Sequence, residues 1–406
     1  MDVPKMDSTG ESEALPYMML PKVPVGQSFG LLAGIIVVDL TNSVAGPYAT
    51  MLLSDFGATV IKVERPEGDD ARAWGPPFLD DQSLWFTAIN RNKKSVVIDM
   101  QTEAGLADLR RLVRSADVFV TNMPPNVQRK IKLEYESLRA EREDLVFCSI
   151  TGFGLSGPRA QQRCYDLIAE GYSGIMDITG EQNSWPQKIG APAADMLAGQ
   201  DAAMAVCAAL FERKTSGKGH KIEVSLVESM TRMLTCRITP YLGSGEVPRR
   251  SGGTDSVIAI YRAFATADKP INLALGSDLI WTRFWQVVGD PEYGARPEFS
   301  SNAKRRLARM ELVDRIHALL QAKSRDAWLS LFEAAGVPAG PIYAVDEVTA
   351  DEPLRDRGLF FALQDKNGRT VPQVGLGIHV DGEWSVPRSA PPRLGEHTAE
   401  FLTKPK

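Results

Sequence analysis

From Gly34 onward the chain alternates short apolar runs with helix-type segments, and this alternation restricts the fold more than any other feature. Gly34-Ile35-Ile36-Val37-Val38-Asp39-Leu40 is apolar almost throughout, as a strand covered on both faces must be. A loop from Thr41 to Val44 leads to Ala45-Gly46-Pro47. Proline opens a helix there at little cost, because its missing N–H would have no partner in the first turn. That helix runs to Phe56 and stops at Gly57, and Thr59 to Glu64 reads as a second strand. The theme repeats: strand at 95–99, helix at 102–116 behind a Thr102 cap, strand at 118–122, helix at 126–141, strand at 145–151. Strands separated by helices predict a parallel sheet with helices on both faces.

Further along, the spacing predicts an Ala-rich buried helix over 194–213 and a half-exposed strand over 221–226. A shift to Gly, Ser, Arg and Pro around 243–256 predicts a domain junction. Beyond it come strands at 258–265 and 271–275 and helices at 278–288, 303–322 and 325–335. Pro338, Gly340 and Pro341 mark a turn before another helix, and 370–406 holds short strands. The 406 residues, 44% of them hydrophobic, suffice for two cores.

Charge and cysteine content exclude several classes. A net charge of −5 leaves no basic field for nucleic acid. Cys148, Cys164, Cys207 and Cys236 fit neither zinc nor CxxC spacing, which predicts thiols in a reducing compartment. The first 28 residues are polar and lack an apolar signal core, and no apolar stretch is expected to reach the length of a membrane span. The expectation is a soluble, cytoplasmic protein, with no membrane partner and a flexible N-terminal extension over 1–28. His220, His317, His379 and His397 all lie in the second half, so the first 219 residues cannot supply a His-based nucleophile pair or metal site. Asp69-Asp70 and Asp80-Asp81 read as exposed turns, and no metal site is expected.

One carboxylate stands out. The predicted strand ending at Thr151 leads into Gly152-Phe153-Gly154-Leu155-Ser156-Gly157-Pro158, and Asp166 follows within ten residues. The Gly-x-Gly-x-x-Gly spacing matches a dinucleotide fingerprint, but Pro158 and the polar run after it do not open an apolar-faced helix. A tight loop shaping a site is the better reading. A carboxylate beside exposed loop amides can act as a nucleophile on an activated acyl group. The competing role for Asp166 is a helix N-cap, and one residue can do both. Lys62, Arg65, Arg72, Arg91, Lys93 and Lys94 cluster at strand ends, where the ligands of α/β sheets bind, and could grip phosphates.

Asp39-Leu40-Thr41 with Ala45-Gly46-Pro47, Leu53-Ser54-Asp55 to Glu64, Asn90 to Ser95, Asn122 with Arg129-Lys130, Ser149 to Pro158 with Tyr165-Asp166, Ala335 to Ile342, and Leu394 to Thr398 together resemble one family. It is the class III CoA-transferases, which also includes α-methylacyl-CoA racemases. The similarity spans about 30–402. The resemblance implies a Rossmann-like large domain built from both chain ends, a smaller α+β domain and an interlocked dimer. The implied boundaries are 29–230 for the large domain, 231–340 for the linker and small domain, and 341–406 for the returning segment. It implies Asp166 as the catalytic nucleophile, passing through an aspartyl–acyl anhydride and an aspartyl–CoA thioester. Lys62, Arg65, Asn90, Lys93, Asn122, Met123, Lys130 and Thr151 fall where members contact CoA, with Arg129 an alternative to Lys130. Val44, Gly152, Gly154 and Arg163 are placed at the acyl substrate. No cofactor is implied beyond CoA and acyl-CoA as substrates. Succinyl-CoA as donor and a dicarboxylate such as L-malate as acceptor are expected, with Arg159, Arg163 or Lys188 facing the spare carboxylate. Met123 departs from a common aromatic, and Pro66 from a second basic residue. The racemase branch has His before the matching Asp, whereas here Tyr165 occupies that position and no base lies nearby. A non-catalytic subunit of a heteromer is the other alternative to a homodimeric enzyme.

Overall fold

The computed structural model describes residues 15–255 and 257–402. Its central feature is a six-stranded, all-parallel sheet. In chain order the strands and their main helices are β1 (Ile36–Leu40), α1 (Ala45–Asp55), β2 (Thr59–Glu64), β3 (Lys93–Val97), α2 (Glu103–Ser115), β4 (Val118–Thr121), β5 (Val146–Thr151), α3 (Asp166–Ser173), α4 (Ala193–Ser216), β6 (Lys221–Ser225) and α5 (Leu226–Met233). Their spatial order is β3-β2-β1-β4-β5-β6. This is the doubly wound arrangement, with its switch point between β1 and β4.

The predicted elements form largely where the apolar periodicity places them. Thr102 caps α2 by accepting from the Gly105 amide. The helix predicted over 126–141 is two helices, Pro125–Lys130 and Tyr135–Glu141, because Lys132 takes a positive φ of 53° between them. The helix predicted over 303–322 also divides, into Asn302–Leu307 and Arg309–Leu320. Residues 22–24 are not loose: they form a strand that pairs in parallel with Phe360–Gln364. Residues 1–14 lie outside the described residues.

The chain divides into two compact units. The larger contains residues through 176, 188–246 and 351 onward; the smaller contains 177–187 and 247–350. The boundaries fall at 246/247 and 350/351, later than the expected 230/231 and 340/341, because the helix Thr235–Ser244 belongs to the larger unit. The insertion 177–187 carried no sequence signal. In the larger unit the C-terminal segment is bonded to the first half of the chain. Arg91 donates to Val374 O (2.7 Å), Arg388 to Ala58 O (2.8 Å), and the His397 amide to Ser95 O (2.9 Å). The smaller unit pairs Tyr261–Phe264, Ile271–Ala274 and Ala339–Pro341 as an antiparallel sheet. Its own core is built around Trp281, Phe284, Trp285, Phe299 and Phe332.

α4 is, by length and composition, long and apolar enough to cross a membrane, unlike the expectation for this chain. Here it packs on α1. A Cβ on Gly199 would lie 2.6 Å from Ala45 O, so glycine is what lets the two helices approach.

Candidate active site

The switch point carries a cleft lined by Thr41 and Asn42 after β1, Arg65 and Asp69 after β2, and Asn122 and Met123 after β4. Asn122 clamps the two loops across it: its amide donates to Asn42 O (2.9 Å), and its Oδ1 accepts from the Asn42 amide (3.2 Å).

Beneath the cleft lies a buried ionic layer. Lys62 donates to Asp69 (2.7 Å) and to Thr41 O (3.0 Å). Lys93 donates to Asp39 (3.1 Å) and Pro47 O (2.7 Å), while Asp39 also accepts from Thr41 and Thr50. Burial pushes the Asp39 carboxyl up, but Lys93, Lys62 and the two hydroxyls outweigh it and hold the group below its ordinary value. Burial, with the like charge of Lys62, lowers Lys93 to about 8 despite Asp39. Glu64 is fixed by Arg72 (2.7 Å) and Ser95 (2.6 Å), and Arg91 by Asp55 (2.7 Å).

This layer alters the reading of the strand-end cations. Lys62, Arg91 and Lys93 are buried and paired, so they shape the loops from below instead of presenting charge to a phosphate. Asn90 is buried too, donating to Phe86 O (2.9 Å). Asp69, expected as an exposed turn residue, is the buried partner of Lys62. What faces outward is Arg65, paired with Asp70, together with Lys94, paired with Glu400, and Arg129 and Lys130 at the end of their helix. Val44 is buried against Met51 and Ile89, with Met196 of α4 packed on the same cluster. Thr151 accepts the Gly154 amide (3.0 Å), and the Leu155 amide donates to Glu223. Two loop amides expected to stabilise an oxyanion are therefore occupied within the protein.

The carboxylate expected from sequence has a close companion. Asp166 begins α3, with Tyr165 as the capping position, so it is not the cap of its own helix. It caps another. α4 starts after Pro192, which offers no capping side chain. Asp166 Oδ1 accepts from the amides of Ala194 (2.8 Å) and Asp195 (3.2 Å) instead. A carboxylate there meets both the orphan amides and the positive end of a 24-residue helix. The side chain of Asp195, in the first turn of α4, receives no hydrogen bond among the described residues. Burial first, and then the charge of Asp166, raises it to about 7. Glu170 lies one turn along α3, fully buried, and accepts from the Ile189 amide (2.9 Å). Cys164 sits behind the pair, its thiol pushed up to about 11 by burial and by both aspartates. Gly152 makes the juxtaposition possible, since a Cβ there would fall 2.1 Å from the Cβ of Cys164. Arg159 stands over the Tyr172 ring at 4.9 Å, on the exposed side of α3. Arg163 and Lys188 are exposed.

Sequence reading missed Asp195 and Glu170. An aspartate in the first turn of a long helix is ordinary, and only the seating of α3 against α4 makes this one unusual. The carboxylates and the cleft belong to the same unit. α4 touches the start of α1 at Gly199, four residues or about 6 Å of helix rise beyond Asp195.

The comparisons agree with this geometry. The model of a family described as CoA-transferase family III matches residues 32–398. A succinate–glutarate CoA-transferase of Agrobacterium fabrum is 38% identical over 381 residues, covering 92% of this chain and 95% of the relative. The human succinyl-CoA:glutarate CoA-transferase is 34% identical over 372 residues, covering 91% and 85%. The crystal structure of a CAIB/BAIF family protein from Brucella suis superposes with a TM-score of 0.83 at 37% identity, covering 93% of this chain and 99% of that one. A doubly wound sheet with a cleft at its switch point, a carboxylate pair at a helix start and a family match over nearly the whole length lead to one assignment: the chain belongs to CoA-transferase family III, and is a class III CoA-transferase.

Proposed function

We propose that this enzyme moves CoA from a dicarboxylyl-CoA, succinyl-CoA in the first instance, to a second dicarboxylate, and that the covalent chemistry runs on Asp166 with Asp195 as its close neighbour. One observation carries the choice of nucleophile. Asp166 Oδ1 is held by two amides of α4, whereas its Oδ2 receives no hydrogen bond among the described residues. A carboxylate oriented through one oxygen leaves the other to attack, and the resemblance places the family's nucleophile at this position.

The steps balance as follows. The Asp166 carboxylate attacks the thioester carbonyl of the donor, and the C–S bond breaks to give an aspartyl–acyl anhydride and CoA thiolate. The thiolate attacks the aspartyl carbonyl, releasing the donor as its carboxylate and leaving an aspartyl–CoA thioester. The acceptor carboxylate displaces CoA to form a second anhydride. The thiolate then takes the acceptor acyl group, and Asp166 is restored. Arg65, Asn122, Met123 and the Arg129–Lys130 end are the outward groups suited to the CoA moiety. Lys62, Asn90 and Lys93 support that cleft from inside. Arg159, Arg163 and Lys188 are the cations available to a second carboxylate. The names of the relatives favour succinate and glutarate; L-malate belongs in the same panel. A dimer, as the resemblance implies, is part of this reading.

The experiment is a trap. The enzyme is incubated with succinyl-CoA, quenched with hydroxylamine and digested with trypsin. Cleavage after Arg163, Lys188 and Arg213 puts Asp166 and Asp195 on separate peptides, 164–188 and 189–213. A hydroxamate at Asp166 that requires succinyl-CoA supports the proposal. A hydroxamate at Asp195 moves the nucleophile there, and no adduct with any dicarboxylyl-CoA sinks the donor assignment.

A further inference from the structure

The smaller unit gathers three arginines with little acid to balance them. Arg262 lies on the strand Tyr261–Phe264, Arg306 near the end of the helix Asn302–Leu307, and Arg309 at the start of the helix Arg309–Leu320. One stretch of backbone brings them together. A Cβ on Gly253 would lie 3.6 Å from the Arg262 Cβ. Arg309 Nη2 donates to Ile258 O at 3.1 Å, and the Ile258 amide donates to Asp255 Oδ1 at 2.7 Å. Arg306 precedes Arg309 by three residues. Among the described residues, neither the Arg262 nor the Arg306 guanidinium has a hydrogen bond or an ion pair; Arg262 stands 5.7 Å from the Phe264 ring centre. The Nε atoms of Arg262 and Arg309 are buried without an acceptor. The acids nearby in sequence are engaged. Asp278 is held by Arg305 at 2.7 Å and Glu311 by the Tyr293 hydroxyl at 2.9 Å. Asp255 already accepts the Val257 and Ile258 amides.

We propose that Arg262, Arg306 and Arg309 form a binding site for a small oxyanion, a carboxylate or phosphate group, beside Gly253 and Ile258 in the smaller unit. Each guanidinium offers planar, paired N–H donors that fit two oxygens of one anion. Arg306 is exposed, which leaves the cluster open to solvent. The start of the helix Arg309–Leu320 adds to the attraction: Ala308 gives it no side-chain cap, and an arginine in the first turn faces the positive end of the helix. An anion there meets that end and the excess charge together. The mutual repulsion is felt at Arg309, where burial and the like charges of Arg306 and Arg262 outweigh Asp255 and lower the guanidinium from its ordinary value. The group stays charged all the same. The proposal goes beyond the transferase reading and does not rest on it. These residues belong to the smaller unit, whereas Asp166 and the residues assigned to CoA belong to the larger.

The test is a titration at constant ionic strength, with chloride exchanged for inorganic phosphate in one series and for glutarate in another, followed by isothermal calorimetry on the full chain. The proteins are the wild type, Arg262→Gln, Arg306→Gln, Arg309→Gln and, as a control in the CoA cleft, Arg65→Gln. Circular dichroism checks that each variant is folded. Arg306 is exposed, so Arg306→Gln decides the matter even where a variant at the half-buried Arg262 or Arg309 does not fold. The wild type should show a saturable site for at least one probe, and the tighter probe names the group that the site prefers. Each of the three variants should weaken that site about tenfold, the factor for one lost hydrogen bond between charged groups. Arg65→Gln should leave it unchanged. No saturable binding of either probe overturns the proposal. So does affinity that survives Arg306→Gln unaltered, or that is lost in Arg65→Gln, which would place the anion in the CoA cleft.

Discussion

Replacing Asp195 by Asn gives the most direct check on the carboxylate pair. The carboxyl has an ordinary value of 3.8 and sits at about 7 in the fold, a difference of about 3 pH units or about 4 kcal/mol. Its folded value is raised, so the associated stability is complete below pH 3.8 and is lost as pH climbs through 7. Between pH 5 and pH 8.5 this one group should cost the wild type about 2.5 kcal/mol, or about 2 kcal/mol once its partial contact with water is allowed for. Asn is nearly isosteric and has nothing to ionise. Urea unfolding followed by circular dichroism at the two pH values should therefore show the stability difference between variant and wild type moving in the variant's favour by about 2 kcal/mol on going from pH 5 to pH 8.5. If the two proteins lose stability in parallel over that range, Asp195 is not held up by burial and Asp166, and the case for its raised basicity collapses.

Three further outcomes follow from the same contacts. Asp166→Asn removes the nucleophile and should abolish transfer, while Asp166→Ala should also destabilise the protein by about 1–3 kcal/mol through loss of the α4 cap; transfer retained in the Asn variant would contradict the assignment. Lys93→Met strands the Asp39 carboxylate in the core and should cost about 3–5 kcal/mol by thermal or urea unfolding, whereas the paired replacement of Asp39 and Lys93 by apolar residues should recover much of it. Arg129→Glu together with Lys130→Glu should raise KM for acyl-CoA and weaken its salt dependence with kcat little changed, and unaltered KM at low ionic strength would exclude that helix end from the CoA site.

The sequence by itself determined the sheet. Runs such as Val37-Val38 and Val146-Phe147-Cys148 are apolar on both faces, which a covered parallel strand tolerates, and the intervening helices carry their own caps and stops, as at Thr102. The motifs around Asp39, Asn90 and Tyr165-Asp166 also carried the family. Two kinds of fact were decided only in three dimensions. Whether a strand-end lysine faces a ligand or a buried aspartate depends on its partner: Lys62 and Lys93 look like phosphate grips in one dimension and prove to be internal ions paired across 7 and 54 residues. The pairing of Asp166 with Asp195 likewise spans 29 residues and the junction of two helices. A carboxylate's basicity is set by burial and by neighbouring charge, both properties of packing, so no local pattern could distinguish Asp195 from an ordinary first-turn aspartate or Glu170 from an ordinary helix glutamate.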